Sequence, residues 1–224
     1  MKNLSAGRIT ENIDRYTGKK RRLDADMRYA SFDFCYRYFR EFVDNDELCE
    51  LDSESNVQES CTQLAMYLAS WGMYRGSTGL LQRSSRSLKP LVSYLANIDP
   101  KFWRLDVDSY DDESVKELVK LLEALGKVMT EKVGISPTKT LKTKILLGTL
   151  GNIPAFDSRF CSGSGLSSPT AKNLLKISEF YRANKKVIDD GRIHCVEFVS
   201  GTPGQVRYPI AKVIDMIYFI EGGR

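Results

Sequence analysis

The residues best placed to do chemistry gather late in the chain. "LLGTLGNIPAFDSRF" (146–160) ends an apolar run at Leu150-Gly151-Asn152, passes through Ile153-Pro154-Ala155-Phe156, and then presents one carboxylate, Asp157, among apolar neighbours. Lys139, Lys142 and Lys144 stand just before it. Such an acid has two uses. It can stabilise positive charge that develops on a reacting atom, or it can cap a short helix beginning at Ser158. A lysine amine, for its part, attacks only where its pKa is lowered enough to free it. The chain has a single histidine, His194, so a histidine-rich metal centre is excluded, and a Ser-His-Asp arrangement could be built only on that residue. His194 lies between Ile193 and Cys195, where a structural role is expected. Chemistry must then rest on carboxylates, lysines, hydroxyls or backbone groups.

Charge is unevenly spread. The formal net charge is +4, but between Lys127 and Lys186 eleven basic residues face only three acids, while Asp33 to Glu59 holds nine acids and two arginines. This asymmetry directs the C-terminal half towards a polyanion. Two other readings stay open: lysines exposed for solubility, and head-to-tail self-association of the two halves. The run Lys19-Lys20-Arg21-Arg22 reads as a phosphate-binding arm or as a basic helix start.

Bulk composition sets further limits. With 42% hydrophobic and 28% charged residues the chain is ordinary for a globular protein, and no apolar run approaches the about 18–20 residues of a membrane span. Met1 to Arg22 lacks the apolar segment of a secretory signal. Five scattered cysteines (Cys35, Cys49, Cys61, Cys161, Cys195) form no Cys-x-x-Cys, which predicts free thiols in a reducing, cytoplasmic setting, with no metal and no cofactor. Asp106, Asp108, Asp111 and Asp112 lack calcium-loop spacing and read as acids at helix starts.

The elements that would position these groups are helical almost throughout. "DMRYASFDFCYRYFREF" spaces Tyr29, Phe32, Cys35, Tyr36 and Phe39 as one buried stripe, and "DDESVKELVKLLEALGKVMTEKVG" runs from an acidic start to Gly134. Ser136-Pro137-Thr138 and Ser168-Pro169-Thr170 each offer a serine cap with proline at the first helical position, and Ser87 would cap a helix that tolerates Pro90. A last helix starts at Pro209. Only "RIHCVEFV" has strand character. The prediction is an all-α, irregular bundle, in one domain or in two lobes, 1–104 and 105–224.

"GISPTKTLKTKILLGTLGNIPAFDSRF" orders a helix end, a Gly-containing turn, a lysine-bearing helix, a second turn and an aspartate. Over roughly residues 125–160 this resembles the core of the helix–hairpin–helix DNA glycosylase superfamily, whose hairpin binds the DNA backbone through main-chain amides. Gly134 is retained, while Ser136-Pro137 occupies the second half of the hairpin. The resemblance implies an enzyme that extrudes a modified base from duplex DNA and cleaves its N-glycosidic bond, for repair or for defence against foreign DNA. It implies Asp157 as the carboxylate that supports charge on the sugar, and Lys139 as the amine of those members that also cut the strand, with Lys142 or Lys144 reached by small shifts. Gly134, Ser136, Thr138, Lys142, Lys144 and Arg159 would hold phosphate.

"ASWGMYRGSTGLLQ" supplies the candidate base pocket. Trp71, Tyr74, Arg75 and Gln82 stand among Gly72, Gly76 and Gly79, and aromatic and arginine faces can stack on an extruded base. The alternative is a tight interhelical turn with Trp71 in the core. For the whole chain the rival is a scaffold that binds nucleic acid or protein without catalysis. An enzyme would keep Asp157 in an open cleft beside an aromatic pocket; a scaffold would bury it as a cap.

Overall fold

Helix ends in this chain follow local chemistry, and the computed structural model describes residues 1–18 and 22–224. Among them are eleven α-helices and one two-stranded antiparallel ribbon, the all-α class that the periodicity predicts. The helices are α1 (Ala6–Thr17), α2 (Ser31–Asp44), α3 (Val57–Ser70), α4 (Lys89–Ala96), α5 (Lys101–Arg104), α6 (Asp112–Val128), α7 (Lys139–Thr149), α8 (Ser158–Ser164), α9 (Ala171–Ala183), α10 (Lys185–Asp190) and α11 (Ile210–Glu221). The ribbon is β1 (His194–Val196) with β2 (Pro203–Arg207). Of the basic run near residue 20, Lys19, Lys20 and Arg21 lie outside the described residues. No helix among the described residues is long and apolar enough to cross a membrane.

Several helix starts differ from expectation. Thr138 and Thr170, rather than the serines two residues earlier, cap α7 and α9, accepting the N–H groups of Leu141 at 3.2 Å and Asn173 at 3.3 Å. Each proline thereby lies outside its helix, where its fixed φ costs nothing. Ser87 caps nothing: its hydroxyl turns back to donate to the Ser84 carbonyl at 2.8 Å, and α4 begins with Pro90 in its first turn. The acids are used more widely than as solvated starts. Asp111 caps α6, accepting the Ser114 N–H at 2.8 Å. Asp106 reaches across the fold to accept the Ile210 and Ala211 N–H groups at 2.6 and 3.0 Å, capping α11, and burial pushes it up to about 6 against the pull of those donors. Gly134 ends the helical turn that follows α6 at φ 77°, as the glycine predicts.

Helix α11 is the axis of the molecule, buried continuously from Ile210 to Phe219. It packs against α8 and α1, so the first helix of the chain stands with the last, across the expected division at 104/105. Helix α2 packs on α3 and α7, and α6 on α9. The α8–α11 crossing is close enough to require glycine: a Cβ on Gly163 would lie 2.1 Å from the Tyr218 carbonyl oxygen, and one on Gly222 1.9 Å from that of Arg159. That crossing sets α8 against the C-terminal end of α11, with Asp157 just before α8.

Candidate functional site

Two lysines enter the interior, one from α7 and one from α11. Five residues along a helix of about 3.6 residues per turn rotate a side chain by about 140°. Lys139 and Lys144 therefore cannot share a face. Lys139 is exposed and donates to the Ser167 carbonyl oxygen, with Cys161 Sγ 3.9 Å away. Lys144 is only 4% exposed, and its Nζ lies 3.1 Å from Asp157 Oδ2. Lys212, 1% exposed, lies 3.4 Å from Asp215 Oδ2 and donates to the Tyr16 hydroxyl at 3.0 Å.

The segment delivering Asp157 is clamped from both sides. Thr143 Oγ1 accepts the Phe156 N–H at 2.9 Å, and Thr140 Oγ1 donates to the Phe156 carbonyl at 3.0 Å. From α11, Asp215 accepts the Ala155 N–H at 3.0 Å. Asp157 itself caps α8, taking the Phe160 N–H at 2.9 Å on the oxygen that does not face Lys144. Its side chain is 15% exposed, so the cap and the ion pair are features of one nearly enclosed carboxylate.

An ammonium without water needs compensation from its surroundings. Here carboxylates supply part and aromatic faces the rest. Lys144 Nζ lies 4.6 Å from the Trp71 ring centroid, and Lys212 Nζ lies 4.7, 5.0 and 5.1 Å from those of Phe32, Tyr16 and Trp71. Burial still pushes Lys212 down and Asp215 up, both towards neutrality, against their mutual attraction; the nearby Lys144 charge lowers Lys212 further. An amine desolvated beside a second cation is the condition for a lysine nucleophile.

Above the lysines stands an aromatic stack. The Tyr29 ring lies between those of Tyr16 and Trp71, with centroids 4.4 and 5.5 Å away and planes within 8° and 4° of parallel. Phe219 meets all three edge-on at 5.7–6.3 Å. The exposed Arg28 guanidinium covers Tyr29 and Trp71 at 5.2 and 5.6 Å.

The other expected site residues scatter. Of the pocket candidates, Trp71 joins Lys144; Tyr74 is half-buried with its hydroxyl enclosed and unpartnered; Arg75 and Gln82 are exposed. Among the phosphate candidates Gly134, Ser136, Thr138 and Arg159 are exposed, and the Lys142 stem lies over Gly126. Lys144 is not a surface phosphate contact, because its helical phase turns it inward. His194 is exposed on β1 opposite Arg207, away from these lysines.

A basic groove lies at the turn before α7. Its cavity of about 900 Å³ is lined by Arg83, Arg86, Lys89 and Lys132 together with Gln82 and Tyr94, and among the described residues no acid contributes to it. Arg83 donates to the Gly134 carbonyl at 3.3 Å, while Arg86, Lys89 and Lys132 form no ion pair among the described residues. Lys101–Glu117, Lys185–Asp189 and Lys186–Asp190 pair at 2.6–2.9 Å elsewhere on the surface, while the exposed Lys116, Lys120 and Lys172, like the groove cations, form no ion pair among the described residues. Among the described residues no group of three or more His, Cys, Asp or Glu could hold a metal.

Beside Lys212, Asp33 accepts the Val196 N–H at 2.7 Å and the Tyr208 hydroxyl, tying α2 to β1. Burial nevertheless raises it from 3.8 to about 7. The folded state then keeps a proton that the unfolded chain releases, so this contribution to stability is full below about pH 4 and is lost as pH rises towards 7. Denaturation across pH 4–7 is expected to show wild type losing stability relative to Asp33→Asn; a constant difference would refute the assignment.

No protein-family model matches this chain, and none of the curated proteins or solved structures compared with it matches. Lys212, Asp215, Tyr16 and Tyr29 were not singled out as site residues from the sequence. One signal was present: "PIAKVIDMIYFIE" places a lysine and an aspartate three apart in an otherwise apolar helix, and such charges are buried only when paired. Nothing in the sequence links Tyr16 and Tyr29 to that helix.

Proposed function

We propose that this chain is a DNA-binding protein of the helix–hairpin–helix glycosylase kind, which extrudes a modified base and cleaves its N-glycosidic bond. The observation that carries the reading is the Lys144–Asp157 pair at 3.1 Å, placed after the turn and lysine-bearing helix and faced by Trp71. In this reading Asp157 stabilises the positive charge that develops on the sugar as the base departs. Lys144, rather than Lys139, is the amine next to that carboxylate, 3.1 Å from it in the free protein. The exposed turn at Gly134 and the unneutralised groove beside it hold the phosphate backbone without reading its sequence.

A second reading rests on a different observation, and by the criterion of an open cleft that observation favours it over the enzyme: Asp157 is nearly enclosed and caps α8. A scaffold that binds DNA without cleaving it would need no more than that.

End-labelled duplexes, each with one oxidised, alkylated, deaminated or phage-type base, separate the two when alkali is added to reveal abasic sites. Wild type is expected to release one class of base, and Asp157→Asn to lose release by about 10²–10³-fold while still binding, since asparagine keeps the cap but not the charge. Scission without alkali, absent in Lys144→Met, would add a lyase step. Binding across the panel without release would establish the scaffold. Absence of binding at low salt would reject both.

A further inference from the structure

We infer that the gap between Tyr16 and Trp71 is a binding slot for a planar heterocycle, a nucleobase, and that Tyr29 is its placeholder in the free protein. This rests on the DNA-binding reading above and names where the extruded base goes. The slot walls are parallel rings on different elements, Tyr16 on α1 and Trp71 directly after α3, and the ring between them comes from a third, the short turn Arg28–Ala30. An intercalated ring at 4.4 and 5.5 Å with nearly parallel planes has the geometry of a base stacked between two aromatics.

Three further features favour exchange over a permanent core contact. Tyr29 is only half-buried, whereas Tyr16 is buried. A cavity of about 770 Å³, within the range of small-ligand pockets, is lined by Tyr16, Tyr29, Met27, Phe198 and Gly201 and gives the ring room to leave. The rim of that cavity mixes exposed charged residues, Arg22, Asp24 and Asp26, with exposed apolar ones, Met27, Phe198 and Val199, and the apolar part is a surface that a base or sugar would cover on passing. Next to the slot, the Trp71 Nε1–H is enclosed without an acceptor, a donor left for a group that an incoming nucleotide brings. Lys144, over the Trp71 ring, repels a cationic occupant and favours a neutral, electron-rich ring.

The consequence is a gain on removing a side chain. Wild-type protein must first vacate the slot, which lowers its apparent affinity by the fraction of molecules in which the slot is empty. The probe is a labelled DNA duplex carrying one mismatched 2-aminopurine, whose emission falls when the base stacks on an aromatic ring. Tyr29→Ala is expected to bind it about tenfold more tightly than wild type, the scale of two lost ring stacks, with stronger quenching. A fully paired duplex without the mismatch should show no gain. Tyr29→Trp, which keeps a stacked ring and enlarges it, is expected to bind the mismatched duplex more weakly, and it tests the inference even if the alanine variant does not fold. Equal or weaker binding by Tyr29→Ala, or unchanged binding by Tyr29→Trp, overturns the slot while leaving the DNA-binding reading in place. Failure of every form to bind either duplex at low salt overturns both.

Discussion

Lys144→Met is expected to destabilise the protein by about 3–5 kcal/mol at neutral pH, the cost of leaving a buried carboxylate without its partner. The loss should be partly recovered in Lys144→Met/Asp157→Asn. Asparagine at 157 still accepts the Phe160 N–H and so keeps the α8 cap, but it carries no charge to strand. The single Asp157→Asn change leaves Lys144 as the unpaired ion, with the Trp71 face and the nearby Lys212 in an enclosed region. The double-mutant cycle therefore has a sign: the two changes together cost less than the sum of each alone. Urea unfolding of the four proteins measures it. A loss below about 1 kcal/mol in Lys144→Met would mean that the pair behaves as a hydrated surface bridge, and the interior site would have to be abandoned.

Gly163→Ala should be comparably severe for a different reason. The added methyl would sit 2.1 Å from the Tyr218 carbonyl oxygen, and main chain cannot rotate away as a side chain can. Overpacking of a core costs about 1–3 kcal/mol when side chains can yield, so a loss at or above the upper end is expected, with a matching fall in Tm. Gly222→Ala meets the Arg159 carbonyl at 1.9 Å across the same crossing. Once α8 and α11 are forced apart by one methyl, the second finds room, so the double variant should cost clearly less than the sum. Because Asp157 caps α8 and α11 carries Asp215, the separation should also weaken any activity that depends on the buried pairs. Full additivity, or a loss below about 1 kcal/mol in Gly163→Ala, would show that the helices do not cross this closely.

Some of this was written locally. The all-α class follows from the 3.6-residue spacing of apolar positions, and the end of the helical run at Gly134 follows from a residue that tolerates a left-handed φ. The start of α8 after Asp157 was legible as a cap, and the strand at 194–196 as a short apolar alternation. β2 was not legible, since "PGQVR" is extended only because β1 pairs with it.

The site divides in the same way. Sequence alone placed a carboxylate after a lysine-bearing helix and put Trp71 among the candidates, because these are matters of residue type and order. It left open which lysine faces the acid, and helical phase together with the packing of α7 decided for Lys144. It also left Lys212 and Asp215 as an oddity in an apolar helix. Only the tertiary structure shows that α11 carries them beneath Tyr16, Tyr29 and Trp71, residues 141–199 positions away in the chain. The physical reason is that an ion's cost in the interior depends on what surrounds it in space, and those neighbours are chosen by how helices pack, which no local pattern of residues specifies.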